Sequence, residues 1–271
     1  MPKTNVRGLE MYYEIEGDGP PVVLVSGLSQ DHLGWMLQVP ALTAAGFRCI
    51  SFDNRDAGQT SQSSASYTIR QMADDTLGLM DALGIRTAHM VGLSMGGMIG
   101  QEIAIDAPDR VSSLTLVCTA AATEPETAGI LRAWRAARPH CDDVDFVLMV
   151  SAWLFTHRFY QQAEAVQGFL QLVRSNPFPQ SPAGFQRQCD AVLGHNARDR
   201  VSRISVPTQI IVGTEDTLTP PRHSRWLAER IAGAKLTEVP NAAHVLSLEV
   251  PDAFNRVVID FLQAQPKTVS V

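Results

Sequence analysis

The stretch His89-Met-Val-Gly-Leu-Ser-Met-Gly-Gly-Met98 joins an apolar run to a helical pattern through a serine that lies between glycines. Ala88 to Val91 is suited to a buried parallel strand, and Met95 to Ala107 has the pattern of a helix. In a Gly-x-Ser-x-Gly sequence, the glycines leave room for a turn so tight that the serine takes an unfavourable backbone conformation. The pattern predicts that Ser94 is a nucleophile held above a sheet, beside the free N–H groups of a helix N-terminus. An ordinary turn with Ser94 as N-cap is the alternative.

Short apolar strands alternate with amphipathic helices along most of the chain. This alternation predicts an α/β fold with a mostly parallel sheet and helices on both faces. Gly17 to Pro21 predicts a hairpin, so we expect the first two strands to form an antiparallel edge. The other predicted strands are Met11–Glu16, Val22–Val25, Phe47–Phe52, Val111–Val117, Gln209–Val212 and Lys235–Val239. The other predicted helices are Pro40–Ala45, Tyr67–Leu83, Pro220–Ile231 and Pro251–Leu262.

Residues 122–200 interrupt this alternation with several helical patterns and no clear strand. We therefore predict a helical cap at 122–200, inserted into a core formed by 1–121 and 201–271. The cap has more apolar bulk than one helix layer needs, which predicts the roof of an apolar pocket, although packing on the core is the alternative for any single residue. Trp153 and Leu154 are candidate substrate contacts. The whole group is Val147, Leu148, Met149, Val150, Trp153, Leu154, Phe155, Phe159, Phe169 and Leu172.

Composition restricts the class of protein and its partners. The 271 residues carry a formal net charge of −6 with scattered basic residues, which argues against nucleic acid as a partner. No segment has the apolar length of a membrane span, and the N-terminus lacks the apolar core of a signal peptide, so we expect a cytoplasmic protein. The end of the chain, Pro266 to Val271, is expected to be a frayed tail. The oligomeric state stays open.

Neither a metal nor a cofactor is predicted. The 4 cysteines are far apart along the chain and lack metal-ligand spacing, so we interpret them as reduced packing residues. No pair of histidines flanks a glutamate at the spacing of a metal-binding helix.

A serine nucleophile needs a base, and the base needs a group that orients it. Asp216 follows the predicted strand Gln209–Val212, and His244 follows the last predicted strand, so both loops should open on the sheet edge that carries Ser94. The order serine, aspartate, histidine is the one expected for this architecture. Glu215 is a rival acid. A turn aspartate and a solvated loop histidine are the structural alternatives, and His32 and His195 are the other histidines of interest.

The oxyanion that forms when a serine attacks a carbonyl needs two fixed donors. Met95 should supply one backbone N–H, because it directly follows the nucleophile. The loop after Val22–Val25 should supply the other through Leu28, since Gly27 permits a close turn there. Gly27 and His32, from the same loop region, are candidate substrate contacts. A plain strand-to-helix turn is the alternative for this loop.

As a set, several motifs resemble the α/β-hydrolase fold superfamily over nearly the whole chain. The finer resemblance is to small capped serine esterases and to 3-oxoadipate enol-lactonases. It implies an eight-stranded, mostly parallel sheet with an inserted helical cap. The motifs are Ser26-Gly27, Phe52-Asp-Asn-Arg-Asp-Ala-Gly58, Gly92-Leu-Ser-Met-Gly-Gly97, Gly213-Thr-Glu-Asp-Thr-Leu-Thr-Pro220 and Ala243-His244.

Two residues depart from the family pattern. The loop after Val22–Val25, which carries Gly27 and Leu28, is called the oxyanion loop below. Ser26 stands where the family usually has a histidine before the glycine of this loop. Asp56 stands where the family turn Asp-x-Arg-Gly-x-Gly has its first glycine. Because aspartate tolerates a left-handed backbone better than most residues, we expect the turn to survive.

The sequence thus predicts a serine hydrolase that cleaves a carboxylic ester or lactone, a small-molecule substrate, through an acyl-enzyme on Ser94. Carbon–carbon bond hydrolysis and cofactor-free perhydrolysis or haloperoxidation are alternatives that use the same triad. A ligand receptor with an idle triad is an alternative of another class. An anionic lactone would need a positive group in the pocket, for which the candidates are Arg132, Arg135, Arg158 and Arg187.

Overall fold

The fold is built on one sheet whose strands are ordered β1-β2-β4-β3-β5-β6-β7-β8. A computed structural model describes residues 2–266, so 267–271, most of the predicted frayed tail, lie outside the described residues. All strand pairs from β4 through β3 to β8 are parallel, as the sequence predicts. The strands are β1 Lys3–Val6, β2 Leu9–Glu16, β3 Pro21–Val25, β4 Arg48–Phe52, β5 Ala88–Leu93, β6 Val111–Val117, β7 Thr208–Gly213 and β8 Lys235–Val239.

The antiparallel edge is formed by β1 and β2, which a tight turn with left-handed Arg7 and Gly8 connects. The predicted hairpin at Gly17 to Pro21 is wrong, because β2 pairs with β4 and not with β3. Strand β3 lies between β4 and β5 in the middle of the sheet, where Val22–Val25 is buried on both faces. The sequence analysis missed β1 because Lys3–Val6 is short and mostly polar.

Helices cover both faces of the sheet. Alternate residues of β3 pack into different apolar clusters, with Val23 and Val25 on one face and Val22 and Leu24 on the other. Helices α2, α3 and α9 contribute to the first cluster, and α1, α10 and α11 to the second. The helices are α1 Val39–Ala44, α2 Ile69–Ala82, α3 Met95–Asp106, α4 Pro125–Ala137, α5 Asp143–Ser151, α6 His157–Tyr160, α7 Ala163–Ser175, α8 Pro182–Leu193, α9 Pro221–Arg230, α10 Leu246–Glu249 and α11 Pro251–Gln263.

Helices α4 to α8 lie between β6 and β7, and this part of the described chain contains no named strand. An isolated bridge between Ala122 and Asn196, next to a 2.7 Å hydrogen bond from Ala197 N to Ala121 O, brings the two ends of the insertion together. We propose the division into a core and a cap at 122–200 on this basis. Across residues 2–266, no helix combines the length and the apolar character that crossing a bilayer requires.

Candidate active site

Ser94 occupies the turn between β5 and α3 with φ 55° and ψ −114°, which is a strained conformation for a residue with a side chain. The backbone is fixed there from both sides. Ser94 N donates to Val117 O at 2.8 Å, and Thr119 Oγ1 donates to Ser94 O at 2.8 Å. The Ser94 side chain makes no capping hydrogen bond, so the N-cap alternative does not apply.

Each glycine of the turn is required by close packing. A Cβ atom at position 92 would lie 2.3 Å from Gly96 O, and one at position 96 would lie 2.0 Å from Val25 O. A Cβ atom at position 97 would lie 2.7 Å from the side chain of Thr119. Non-bonded contacts this short do not occur, so the glycines are needed for the close approach of α3 to strand β3 and to the loop after β6.

Asp216 and His244 meet in the loops after β7 and β8, with His244 Nδ1 2.9 Å from Asp216 Oδ2. Both side chains are buried, at 3% and 4% exposure. The backbone N–H groups of Leu218 and Thr219 each donate to Asp216 Oδ1 at 2.9 Å, which fixes the carboxylate as an acceptor. Glu215, the rival acid, is exposed.

Thr219 is a residue of this site that the sequence analysis missed. Its hydroxyl oxygen lies 2.9 Å from Asp216 Oδ2, 2.9 Å from Cys118 O and 3.2 Å from His244 Nδ1. A threonine three residues after an aspartate is a common turn pattern, so only the meeting of β6, β7 and β8 reveals this contact.

Cys118, Asp216 and His244 are close enough to one another to be considered as metal ligands. Burial raises the pKa of the Cys118 thiol well above its usual value, and the nearby Asp216 raises it further. Metal ligation by cysteine requires the thiolate, so this thiol is a poor ligand near neutral pH. His244 Nδ1 and one oxygen of Asp216 already share a hydrogen bond. The group therefore fits an oriented base better than a metal centre.

Ser94 and His244 line the same cavity, which has a volume of about 340 Å³ and lies between the sheet edge and the insertion. Within residues 2–266 the Ser94 hydroxyl has no hydrogen-bond partner, and His244 is hydrogen-bonded only through Nδ1. Catalytic hydrogen bonds are often long or unformed in an enzyme without substrate. Most of the wall is apolar, and it includes Met98, Leu131, Trp134, Phe146, Val150, Phe155, Phe169, Phe185 and Leu248.

Of the two predicted oxyanion donors, Leu28 lies at this cavity and Met95 directly follows Ser94. Leu28 and Gly27 line it, and Met95 N is the first amide of α3. In the described chain neither Leu28 N nor Met95 N has a hydrogen-bond acceptor, whereas Gly27 N and Ser29 N both do. Two free amides, one directly after the serine and one from a loop at the same cavity, are what a developing oxyanion needs.

The oxyanion loop is supported although Ser26 replaces the usual histidine. Ser26 is fully buried, its hydroxyl donates to Asp31 O at 3.1 Å, and its carbonyl accepts from Asn54 Nδ2 at 3.1 Å. Ser26 thus stabilises the oxyanion loop through its hydrogen bonds to Asp31 and Asn54.

Asp56 adopts the left-handed conformation that the sequence analysis expected, with φ 66°. Its carboxylate accepts two 2.8 Å hydrogen bonds from Arg187 of α8, one of 2.7 Å from Tyr67 and one of 2.7 Å from Ser63 N. The departure from the family pattern therefore forms a buried ion pair between the turn and the insertion.

The candidate substrate contacts divide into two groups. Gly27 and Leu154 line the cavity, whereas His32 and Trp153 do not. Trp153 lies behind a cavity residue, with its ring centroid 5.7 Å from that of Trp134. His32 Nδ1 lies 2.8 Å from Asp53 Oδ1. Burial alone would lower the pKa of His32, but the hydrogen bond and negative charge of Asp53, together with the charges of Asp31 and Glu14, outweigh it and raise the pKa.

His195 also lies away from this cavity, beside a second and smaller one near the N-terminus of α2. Burial lowers the pKa of His195 to about 4, despite Glu102 3.5 Å away, so the imidazole is neutral at pH 7.

None of the arginines considered for an anionic substrate lines the main cavity. Arg187 is paired with Asp56 and Arg135 with Asp190, while Arg132 and Arg158 point to solvent at the surface. These residues lie on helices of the insertion, and the sequence pattern does not say which helix face meets the cavity.

The arginine that does line the cavity is Arg138, which the sequence analysis did not single out. It forms an ion pair with Asp143 and donates to Gln180 O at 2.8 Å. Asp31 is a second acidic group in the wall. The charge of Arg138 is therefore compensated within the wall itself.

Residues 20–251 match the sequence model of a protein family that is described as the alpha/beta hydrolase fold. The chain belongs to this family. A relative from Azorhizobium caulinodans that is named for carbamate hydrolysis is 31% identical over 96% of this chain and 98% of its own length. A Mycobacterium tuberculosis relative named as a non-heme bromoperoxidase is 30% identical over 93% of this chain and 97% of its own length.

The solved structure of an enol-lactonase from Burkholderia xenovorans superimposes on this α/β hydrolase with a TM-score of 0.88 and 32% identity, covering 97% of this chain and all of the other. The sheet, the helices and the resemblance to enol-lactonases that the sequence predicts are thereby confirmed. The relatives' names span several reactions, so the chemistry of this α/β hydrolase has to be argued from its own site.

Proposed function

We propose that this α/β hydrolase cleaves neutral, largely apolar carboxylic esters or lactones through an acyl-enzyme on Ser94. The observation that carries the proposal is the common cavity of Ser94 and His244, with the free N–H groups of Leu28 and Met95 beside the serine. Nucleophile, base, orienting acid and oxyanion donors are the parts that acyl transfer requires.

In the first step, Ser94 Oγ attacks the substrate carbonyl while His244 Nε2 takes the hydroxyl proton. The carbonyl oxygen becomes an oxyanion that accepts hydrogen bonds from Leu28 N and Met95 N. Asp216, held by backbone amides, accepts a hydrogen bond from the Nδ1–H of His244. It thereby keeps the proton on Nδ1 and stabilises the imidazolium that forms. Collapse of the intermediate breaks the bond to the alcohol oxygen, which receives the proton from His244.

In the second step, a water molecule gives a proton to His244 and attacks the acyl carbon through the same oxyanion site. The acid leaves when the bond to Ser94 Oγ breaks and the serine recovers its proton. In a lactone the alcohol and the acid belong to one product, so the same steps open the ring.

The cavity wall supports a neutral substrate. Among the described residues of the wall, the one arginine, Arg138, is paired with Asp143, and Asp31 adds a further negative charge near the oxyanion loop. A carboxylate buried there would meet no free cation among the described lining residues, and burying an unpaired charge is costly. We therefore favour apolar esters and lactones over anionic lactones.

The same parts support attack on a carbamate carbonyl, carbon–carbon bond hydrolysis and perhydrolysis, and the names of the relatives keep these reactions in view. A panel of p-nitrophenyl esters of increasing acyl length, neutral and carboxylate-bearing lactones, an aryl carbamate and a vinylogous diketone separates them. Halide oxidation with peroxide and acetate tests perhydrolysis. We expect the highest kcat/KM for a neutral ester or lactone.

Labelling with a fluorophosphonate probe tests the role of Ser94 directly. Ser94→Ala should abolish labelling and turnover without loss of the folded state, and Ser64→Ala, at an exposed serine, should leave both unchanged. A parent protein that neither reacts with the probe nor turns over any panel member would overturn the proposal in favour of a ligand receptor with an idle triad.

A further inference from the structure

Gln188 of α8 is a fully buried side chain whose amide joins the insertion to two loops of the core. Its Oε1 accepts from Ser29 N at 2.9 Å, and its Nε2 donates to Arg55 O at 2.8 Å. A buried amide that bonds only to backbone groups fixes their separation, because both groups would lack a partner without it.

The bond to Ser29 lies one residue from Leu28, the proposed oxyanion donor. Gln30 Oε1 accepts from Gly27 N at 3.2 Å, and Gln30 N donates to Gly27 O at 3.2 Å, so the peptide group before Leu28 is held by Gln30. The peptide group after Leu28 is held by Gln188 through Ser29 N. The backbone of Leu28 is therefore fixed at both ends, and its N–H is the one left without a partner.

Ser29 is also strained, with φ 66° in the left-handed region that favours glycine. A serine stays in this conformation only when its surroundings hold it there. Gln188 supplies a hydrogen bond to the amide of this same residue. Loss of the bond would allow Ser29 to relax and would turn the adjacent Leu28 peptide with it.

We infer that Gln188 is a positioning residue that aims the Leu28 N–H at the substrate oxyanion, so that the insertion completes the oxyanion site of the core. The expected effect of Gln188 on catalysis rests on the proposed function, whereas its expected effect on the Ser29 amide does not. This positioning role differs from a role in cap docking alone, which would change stability and substrate binding but not the stabilisation of the transition state.

The test compares Gln188→Leu with Gln186→Leu, which makes the same substitution on the same helix. Gln186 lies outside the cavity wall, and its side chain donates at 3.3 Å to Arg135 O within the insertion. Gln188→Met is measured alongside, so that a leucine variant that fails to fold does not decide the result. Kinetics use a p-nitrophenyl ester at a temperature where the variants stay folded.

For the Gln188 variants we expect kcat to fall about tenfold to a hundredfold with KM within about twofold, because loss of one oxyanion donor costs a hundredfold or more. Affinity for a boronic acid, which forms a tetrahedral adduct on the serine, should fall in parallel. Gln186→Leu should keep all three constants. An unchanged kcat in folded Gln188 variants, or a change in KM alone, would overturn the inference.

Hydrogen exchange at the Ser29 amide supplies a readout that does not depend on any activity. The Gln188 variants should lose protection at this amide, and Gln186→Leu should not. If the parent hydrolyses no ester, the proposed function fails while the exchange result still tests the positioning. Unchanged protection at Ser29 in the Gln188 variants would overturn the positioning whatever the parent hydrolyses.

Discussion

Asp56→Gly restores the residue that the family turn has at this position, and the structure predicts that it destabilises the protein. Asp56 is left-handed, with φ 66°, so glycine would remove backbone strain. The change also removes a carboxylate that is fully buried and accepts from Arg187, Tyr67 and the amide of Ser63. The result depends on which of these two effects is larger.

The gain from relieved strain is about 1 kcal/mol, since aspartate tolerates the left-handed region better than most residues. Breaking a buried charge pair by removing one partner costs about 3–5 kcal/mol. Arg187 keeps 19% of its side chain exposed and can turn toward water, which favours the lower end of this range, but the buried Tyr67 hydroxyl cannot. Glycine also makes the unfolded chain more flexible, at a cost of about 1 kcal/mol. The net loss should be about 3 kcal/mol, or about 6–12 °C in Tm.

Urea unfolding followed by circular dichroism measures this loss, with Tm as a second readout. Asp56→Asn is the matched control, because asparagine also accepts a left-handed backbone but cannot form the ion pair. It should lose less stability than the glycine variant, since it can still accept from Tyr67 or Ser63 N. A glycine variant as stable as the parent would refute the reasoning and show that the strain at residue 56 exceeds the contribution of the pair.

Three further predictions test the site and its support. Thr219→Val removes one hydrogen bond to Asp216 without changing side-chain size, so kcat/KM for an ester should fall about tenfold with Tm lowered only slightly; unchanged kinetics would exclude a positioning role. Burial lowers the pKa of His89 to about 4, so this residue binds a proton in the unfolded chain, but not in the folded one, below about pH 6.5. His89 alone should therefore make stability fall with acidification by about 1.4 kcal/mol per pH unit until the pKa in the folded state is reached, in addition to the contributions of His195 and His223, whose pKa values burial also lowers to about 4. In His89→Gln, which loses this titration but can still hydrogen-bond to Ser113, urea unfolding should show a smaller slope between pH 6.5 and 4, and an equal slope would contradict the assignment. Gly96→Ala should lose about 3 kcal/mol or more in unfolding free energy, because its Cβ would lie 2.0 Å from a carbonyl oxygen of β3, and full stability would contradict the packing argument.

The residues of the candidate triad could be predicted because each lies in a short local pattern. The Gly-x-Ser-x-Gly turn specifies its own conformation, and strands that run parallel bring their following loops to one edge whatever their separation along the chain. Leu28 follows from the same rule, since it lies in the loop that follows β3. Asp56 could be expected to be left-handed because the family turn has a glycine at its position and aspartate tolerates this conformation.

The supporting residues could not be predicted in this way, because their partners are distant in sequence. Gln188 lies 159 residues from Ser29, and no periodicity links a buried amide on one helix to a loop of the core. The arginines of the insertion show the same limit. Arg187 lies on α8 and pairs with Asp56, whereas Arg138 directly follows α4 and lines the cavity, and packing among the helices of the insertion sets these different surroundings.

The insertion is hydrogen-bonded to the loop that carries Leu28 and to the loop that carries His244, and these bonds restrict how the insertion can move. Besides the contact of Gln188, Leu154 O accepts from Val245 N at 3.1 Å, directly after His244. Glu249 accepts from Ala243 N and from Thr156 N, both at 2.9 Å, and so links the insertion to the residue before His244.

Displacement of the insertion as one body would break these contacts together. Two hydrogen bonds of Gln188, one of Leu154 and one of Thr156 would be lost. At about 1 kcal/mol for each, such an opening costs about 4 kcal/mol before any apolar surface is exposed, so the open form would be populated at about 0.1% or less. Opening would also break the hydrogen bond from Ser29 N to Gln188, which we infer positions Leu28. Substrate entry is therefore better served by the existing mouth of the cavity, where the half-exposed side chains of Leu33, Met36 and Leu172 lie, than by lifting the insertion.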